Sequence, residues 1–305
     1  DNYVENSNKI SIKTTDNGNN QHQLGSAACL ALGTNSDFIN CETCHKNKKN
    51  CEGHSGKLYL KTYFNAPLFI PQIIIYLKIF CHNCGELVVG ERNRNIKDIA
   101  SNVTTKIKKN LLCVNCGVQH PYVYENRKDG RGNIVKETLL YDKKNKTTVK
   151  IKAEDLLPND IHDIFSRIKI ETLEKIGLNE DTHPKKLVNK IFYVPPNSIR
   201  PNAYSSNLNK APKNDINLHI NNIIKDNKKM GDTSYGMENE QNIKIIKSLQ
   251  KNISCYIKNP STDQGKQLIN LDDLVSSKHG YIRGIVLGAR LFRIMRHYIT
   301  GDCNL

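Results

Sequence analysis

The stretch Cys41-Glu-Thr-Cys44, followed after six residues by Cys51-Glu-Gly-His54, limits the fold more than any other feature of the chain. Three thiols and one imidazole fall into two tight pairs, Cys41/Cys44 and Cys51/His54. A C-x2-C turn offers both sulfurs to one ion while the amides between them point at the thiolates. Four such ligands close the tetrahedral shell of a structural zinc site. No position is left for water, so the site predicted is a cross-link and not a catalytic centre. Four residues that are merely buried or oxidised are the competing reading.

A second set follows in Cys81-His-Asn-Cys84 and Cys113-Val-Asn-Cys116, each with a glycine directly after its second cysteine, Gly85 and Gly117. Glycine there permits the positive φ that a knuckle turn needs. The set reads as a four-cysteine zinc ribbon, again structural. His45, His82 and His120 lie near these turns, but spacing gives no reason to prefer them as ligands. Cys29, Cys255 and Cys303 remain as ordinary buried thiols.

With 305 residues the chain can bury a substantial core, in more than one domain. Its 45 Lys+Arg against 30 Asp+Glu give a formal charge of +15. That excess favours a polyanionic partner, most simply nucleic acid; a solvated basic surface in an Asn/Lys-rich composition is the alternative. There is no Trp and there are few aromatics, so base-stacking platforms are not suggested. Cysteines grouped at metal spacing, rather than scattered as a disulfide framework, point to a reducing, intracellular compartment. No signal peptide is visible. The most apolar run, 68–80, is too short for a membrane span and contains Pro71 and Lys78. The chain starts at Asp1 and stops at Leu305, which fits a fragment of something longer.

The alternation of Gly56–Tyr63 predicts a strand and Ile70–Phe80 a buried helix. A strand is also expected at Lys9–Lys13, partial helix over Glu91–Asn110, and β structure over Tyr122–Val149 with a turn at Asp129-Gly-Arg-Gly132. Helical patterns begin at Leu156. Asn159 or Asp160 is the expected cap of a helix striped by Ile161, Ile164, Phe165 and Ile168. Glu171–Ile176 forms a short helix stopped by Gly177, and Pro184 opens a third through Phe192. Val194-Pro-Pro-Asn-Ser-Ile-Arg-Pro201 is a stiff extended loop, because its three prolines deny regular hydrogen bonds. Residues 202–216 read as a flexible polar segment. Helices are then expected at Leu218–Ile224 and Asn242–Lys258, with Asn259–Ser277 as a polar loop.

The last block runs from Lys278 to Leu305. In it Lys278, Arg283, Arg290, Arg293 and Arg296 lie among glycines and apolar residues, with no acid before Asp302. Glycines let backbone approach a ligand closely, and arginine forks suit phosphate oxygens. Contact with a phosphate backbone is expected; a structural basic strand is the alternative.

In this order the motifs resemble the N-terminal part of the largest subunit of multisubunit DNA-directed RNA polymerases, from about Leu32 to Leu305. The polymerase II kind and its relatives in large DNA viruses fit best. Cys41-x2-Cys44-x6-Cys51-Glu-Gly-His54 is similar to the family's C-x-T-C…C-P-G-H motif, with Glu52 in place of proline. Cys81-x2-Cys84-Gly85 is similar to the C-x-x-C-G that follows. Leu156–Gly177 resembles the clamp helices, Val194–Pro201 the lid and Asn259–Ser277 the rudder. Lys278-x-Gly-x-Ile-Arg-Gly284…Gly288-x-Arg290…Arg296…Gly301-Asp302-x-Asn304-Leu305 resembles the switch and the start of the catalytic barrel. Two departures stand out. Cys113-x2-Cys116 is more compact than the family's second cysteine pair, and Ala289–Arg296 loses an acid and a lysine.

The resemblance implies an α+β fold, a zinc-stapled clamp with core and head that ends in the first strand of the double-psi β-barrel. It divides the chain into a clamp-core part (1–60) and a clamp head (61–155). Clamp-core helices with a lid near 193–202 and a rudder near 259–277 follow (156–277), then a switch segment (278–305). Implied partners are template DNA, the RNA–DNA hybrid, the second-largest subunit and other polymerase subunits. Lys278, Arg283, Arg290, Arg296 and Arg200 would meet phosphates, while Arg293 fits a structural partner equally well. Two zinc ions would staple the clamp. Magnesium would sit in the parent subunit's active site, whose Asp-rich loop is absent here. Ser166–Pro201 looks nearer to viral members, with an Asn/Lys-rich protist nuclear enzyme as the alternative; the setting is a virion, a viral factory or a nucleus. A stand-alone zinc-binding nucleic-acid-binding protein and a zinc-stabilised interaction scaffold are the rival readings.

Overall fold

The structure, a computed structural model, describes residues 25–89, 95–107, 111–126, 132–142, 147–201, 214–230, 240–258, 268–289 and 301. The expected strand at Lys9–Lys13, most of segment 202–216, and residues Arg290, Arg293, Arg296 and Cys303 lie outside them.

The alternating stretch after the first cysteine motif forms β1 (Gly56–Asn65). Leu58, Leu60, Thr62 and Phe64 turn inward, whereas Tyr59 and Lys61 face out, as a half-buried strand requires. A 3-10 turn leads into α1 (Ile70–Ile79), whose Pro71 sits in the first turn, where a missing N–H costs nothing. α2 (Ile96–Ile107) is amphipathic and buries Ile99, Val103 and Ile107. β2 (Tyr122–Glu125), β3 (Ile134–Asp142) and β4 (Thr147–Leu156) make an antiparallel sheet in that order, with Tyr122 opposite Glu137 and Ile134 opposite Leu156.

α3 (Pro158–Ser166) starts earlier than its expected caps. Pro158 fixes the first helical φ, so Asp160 falls in the first turn, where its carboxylate accepts from the Leu157 amide at 3.2 Å. Asn159 turns its side chain to β1 instead. α4 (Ile170–Glu174) is followed by Gly177 at φ 77°.

The helix expected from Pro184 to Phe192 is absent. Pro184–Leu187 makes one 3-10 turn and the chain continues as β5 (Val188–Val194), antiparallel to β1 with Gly56 opposite Val194. Val188, Phe192 and Val194 are buried at strand spacing, and this run of β-branched and aromatic side chains fits a pleat better than a helix. The prolyl loop that follows is not wholly extended, since Asn197–Ile199 form a 3-10 turn.

α5 (Asp215–Lys229) is capped by Asn214, whose side chain accepts from the Ile216 amide at 2.9 Å. α6 (Glu240–Ile257) buries the stripe Ile246, Leu249, Ile253 and Tyr256. The stretch expected as a rudder-like loop contains α7 (Leu271–Ser276), because Asn270 and Asp273 cap it reciprocally. Asp272 is ion-paired with Lys258 at 3.0 Å. The following residues, Tyr281–Val286, wind as a π-helical turn.

Among the described residues two hydrophobic cores result. One gathers α1, α2, α3, α4 and the three-stranded sheet around Ile73, Phe80, Val103 and Phe165, and it includes Cys81 and Cys113. The other joins β1, β5, α5 and α6 with Ala27, Cys29 and Leu32 ahead of the first cysteine motif. The fold is α+β; a double-psi barrel is not seen among the described residues, and the segment expected to begin it lies largely outside them. Among the described residues no helix is long and apolar enough to cross a membrane.

Candidate metal centres

Three C-x2-C turns in the chain share one backbone plan. The residue after the second cysteine returns its amide to the carbonyl of the first: His45 to Cys41 (2.8 Å), Gly85 to Cys81 (3.0 Å) and Gly117 to Cys113 (2.9 Å). The first cysteine's amide in turn reaches the residue five positions on, Lys46, Glu86 or Val118, at 2.8–3.0 Å. The closing residue is left-handed in each, at φ 56° for His45, 74° for Gly85 and 70° for Gly117. Short bridges Phe80–Leu87 and Leu112–Gln119 pinch the second and third turns at their bases.

The ligand atoms of Cys41, Cys44, Cys51 and His54 all lie within 4.8 Å of one another, and so do those of Cys81, Cys84, Cys113 and Cys116. Cys51 Sγ is 3.8 Å from His54 Nε2. Cys81 and Cys116 sulfurs are 3.6 Å apart, and those of Cys84 and Cys113 3.7 Å. A tetrahedral ion with metal–sulfur bonds near ~2.3 Å has sulfur–sulfur edges of about 3.8 Å. Both donor sets therefore fit one tetrahedral ion each, and either can hold a metal.

The thiols are not equivalent. Burial pushes Cys44 upward, but hydrogen bonds with His54, the Lys46 backbone, Cys51 and Cys41 outweigh it and bring the thiol to about 7. The Val118 backbone amide is the main cause that draws Cys116 to about 6. Burial raises Cys51 to about 11 and Cys81 to about 12, and Cys113 also rises. Cys44 and Cys116 are thus poised to ionise near neutral pH, and the thiolate is the form that binds metal. Burial holds His82 down at about 4 and His120 at about 3, so both rings are neutral. His82 Nε2 donates to the Leu77 carbonyl (2.9 Å), and His120 stands edge-on to it.

The first centre hangs from the 3-10 turn Leu30–Leu32. Glu42 N donates to Leu30 O (3.4 Å), Thr43 Oγ1 to Ala31 O (2.7 Å) and His54 N to Leu32 O (3.1 Å), so both ligand pairs grip one short turn. The second centre docks on the α3–α4 junction. Arg167 donates to His82 O (2.8 Å), Thr172 Oγ1 to Glu86 (2.9 Å), and Gly85 lies so close to the Arg167 carbonyl that a Cβ would come within 2.3 Å of it.

The basic candidates separate. Lys278 and Arg283 are exposed on and beside the π turn. Arg200 is not available to a phosphate: it is 1% exposed, its Nε donates to Pro195 O at 3.0 Å and its Nη1 to Asn217 Oδ1. Its guanidinium ties the prolyl loop to α5, because a cation buried there must spend its donors inside. Cys29 is buried as expected, whereas Cys255 is only partly so. Sequence reasoning missed His45, whose left-handed backbone was signalled by its occupying the place of Gly85 and Gly117.

Two closed four-ligand clusters on an α+β frame define a cysteine-stapled domain able to hold two metal ions. The family described as RNA polymerase Rpb1, domain 1, matches residues 5–284, and the chain belongs to it, within the largest-subunit line of DNA-directed RNA polymerases. Relatives include a DNA-directed RNA polymerase RPB1 homolog of African swine fever virus (isolate Pig/Kenya/KEN-50/1950), 27% identical over 90% of this chain and 20% of the relative. A probable DNA-directed RNA polymerase II subunit RPB1 homolog of Invertebrate iridescent virus 6 is 29% identical over 63% of this chain and 19% of the relative. DNA-directed RNA polymerase subunit Rpo1N of Thermococcus celer is 25% identical over 89% of this chain and 32% of the relative. The chain thus spans a third or less of the length of these curated relatives.

Proposed function

We propose that the chain is the clamp part of the largest subunit of a DNA-directed RNA polymerase of a large DNA virus. It holds template DNA and the RNA–DNA hybrid while nucleotidyl transfer proceeds at magnesium held elsewhere in the parent subunit. The observation that carries this reading is the family match over residues 5–284, with both closed four-ligand clusters inside it. Zinc is the ion proposed for each, because thiolate and imidazole donors in tetrahedral array suit it. Cys41, Cys44, Cys51 and His54 would hold one ion, and Cys81, Cys84, Cys113 and Cys116 the other. When bound, the ions supply cross-links and no chemistry.

The proposed division keeps the clamp core at 1–60 and 156–277, the head at 61–155 and the switch segment at 278–305. Lys278 and Arg283, with Arg290 and Arg296 beyond the described residues, would contact phosphates and give a sequence-independent, salt-sensitive grip. The second-largest subunit would cover the neighbouring surface. A viral factory, virion or nucleus is the proposed setting.

The test is the lifetime of elongation complexes in rising salt, using assembled polymerase carrying Lys278→Ala and Arg283→Ala. The slope of log affinity against log salt should flatten by roughly one for each phosphate that the variant no longer neutralises. A lifetime that matches the wild type at every salt concentration would remove these residues from the interface.

A further inference from the structure

Five successive carbonyls, from Cys29 to Gly33, are engaged by segments far apart in sequence. The middle three take the Glu42 amide, the Thr43 hydroxyl and the His54 amide, all from the first metal centre. The outer two, Cys29 O and Gly33 O, both accept from the side-chain Nδ2 of Asn197, each at 2.8 Å. One NH2 group with two hydrogens therefore clips the two ends of the turn together, from 168 and 164 residues away. Asn197 is 6% exposed, and its own carbonyl accepts from Asn35 Nδ2 at 2.9 Å. Its flanking residues press on the centre as well. A Cβ on Gly53, between Cys51 and His54, would meet Pro196 Cβ at 2.5 Å and Ser198 Oγ at 2.7 Å. Gly33 in turn lies against Gly53 Cα and Cys51 Sγ, at 3.2 and 3.7 Å from its own Cβ position.

We propose that Asn197 is a positioning residue of the first metal centre. It fixes the spacing of the turn from which both ligand pairs hang, and so couples metal binding by Cys41, Cys44, Cys51 and His54 to the seating of the prolyl loop Val194–Pro201. The coupling is reciprocal, since whatever favours the seated loop favours the metal, and the metal favours the seated loop by the same factor. Aspartate has the same shape but no hydrogens, and would set a negative charge between two carbonyl oxygens. The assignment rests on the reading that the first cluster binds metal.

The experiment challenges the zinc-loaded 305-residue chain with excess chromogenic chelator and follows release. Two phases are expected, one per ion, and Cys44→Ser identifies the first-centre phase by removing it. Asn197→Asp should speed that phase by about 10-fold, the low end for loss of a group that orients metal ligands. The phase of the Cys81–Cys116 centre should not change, which also reports that the chain is folded. Asn35→Ala should speed the same phase by a smaller factor, and it decides the question if the Asn197 variant cannot be loaded. Hydrogen exchange supplies the reverse arm: Cys44→Ser should raise exchange in residues 197–200. Wild-type rates in both Asn197→Asp and Asn35→Ala would overturn the proposal, and so would equal acceleration of both phases. A wild-type chain lacking a first-centre phase would instead overturn the metal reading on which the proposal rests.

Discussion

His45 holds at φ 56° the left-handed conformation that glycine provides in the other two knuckles. For an L-residue that conformation costs about 1–2 kcal/mol, of which glycine's greater freedom in the unfolded chain takes back roughly 0.5–1. His45→Gly should therefore stabilise the metal-loaded protein by about 0.5–1 kcal/mol in a denaturant titration. The glycines should lose unequally. Nothing lies within 4 Å of a Cβ at Gly117, so Gly117→Ala meets backbone strain alone and, with the same unfolded-state offset, should cost about 0.5–1 kcal/mol. Gly85→Ala adds a clash with the Arg167 backbone and should cost about 3 kcal/mol or more. Equal losses would show that α3 yields freely. The two glycines were legible in the sequence; their different sensitivity was not, because Arg167 is 82 residues from Gly85. Acid acts on a different residue. Burial in α5 lowers His219, so the ring is neutral when folded and takes up a proton on unfolding below about pH 6.5. Stability from this group is complete above that pH and falls as the pH drops. His219→Leu should flatten the decline in unfolding midpoint between about pH 7.5 and 5.5; a parallel decline would exclude the ring as a cause.

Among the described residues β1 has one strand partner, and side-chain amides serve the alternate residues of its backbone. Asn227 of α5 takes Lys61 N (2.8 Å) and donates to Tyr59 O (3.1 Å), while Asn159 of α3 takes Tyr63 N (3.0 Å). Gln250 of α6 both accepts from Asn65 N (2.9 Å) and donates to Asn65 O (3.0 Å). Three helices thus close an edge that another strand would otherwise find. Gln250 is 1% exposed, so Gln250→Leu would strand two buried backbone groups and should cost about 2–4 kcal/mol. Lys251→Ala, on the exposed side of the same helix, should leave the midpoint unchanged. Element types followed from the sequence where apolar periodicity ran long, as in α1 and α6. They failed where a short segment depended on a distant partner. The run Val188–Val194 takes its strand character from β1, more than 120 residues earlier, and of the two expected caps Asp160 serves the helix start while Asn159 commits its side chain across the fold.

At the scale of the molecule, each candidate metal centre adjoins its own hydrophobic core, and β1 runs between the two. Leu58, Leu60 and Phe64 belong to one core, while Tyr63 packs on the other. The convergence of two ligand sets was legible from cysteine spacing alone. Division of the core was not, because β1 gives side chains to both. Cys113→Ser should therefore raise amide exchange in α1 and α2 while α5 and α6 stay protected, with the opposite pattern for Cys41→Ser; uniform loss in either variant would mean a single cooperative unit. The turn at Cys29–Gly33 carries a last consequence, for chain length. Each carbonyl there has a set visitor, the outer two sharing one Asn197 amide, so adding or deleting one residue would move every later carbonyl to the wrong guest, however conservative the inserted side chain. A few positions on, Phe38 is 97% exposed, and its loop is under no such constraint. Homologous chains that bind metal in this way should vary in length between Ser36 and Asn40 and hold a fixed count from Cys29 to Gly33.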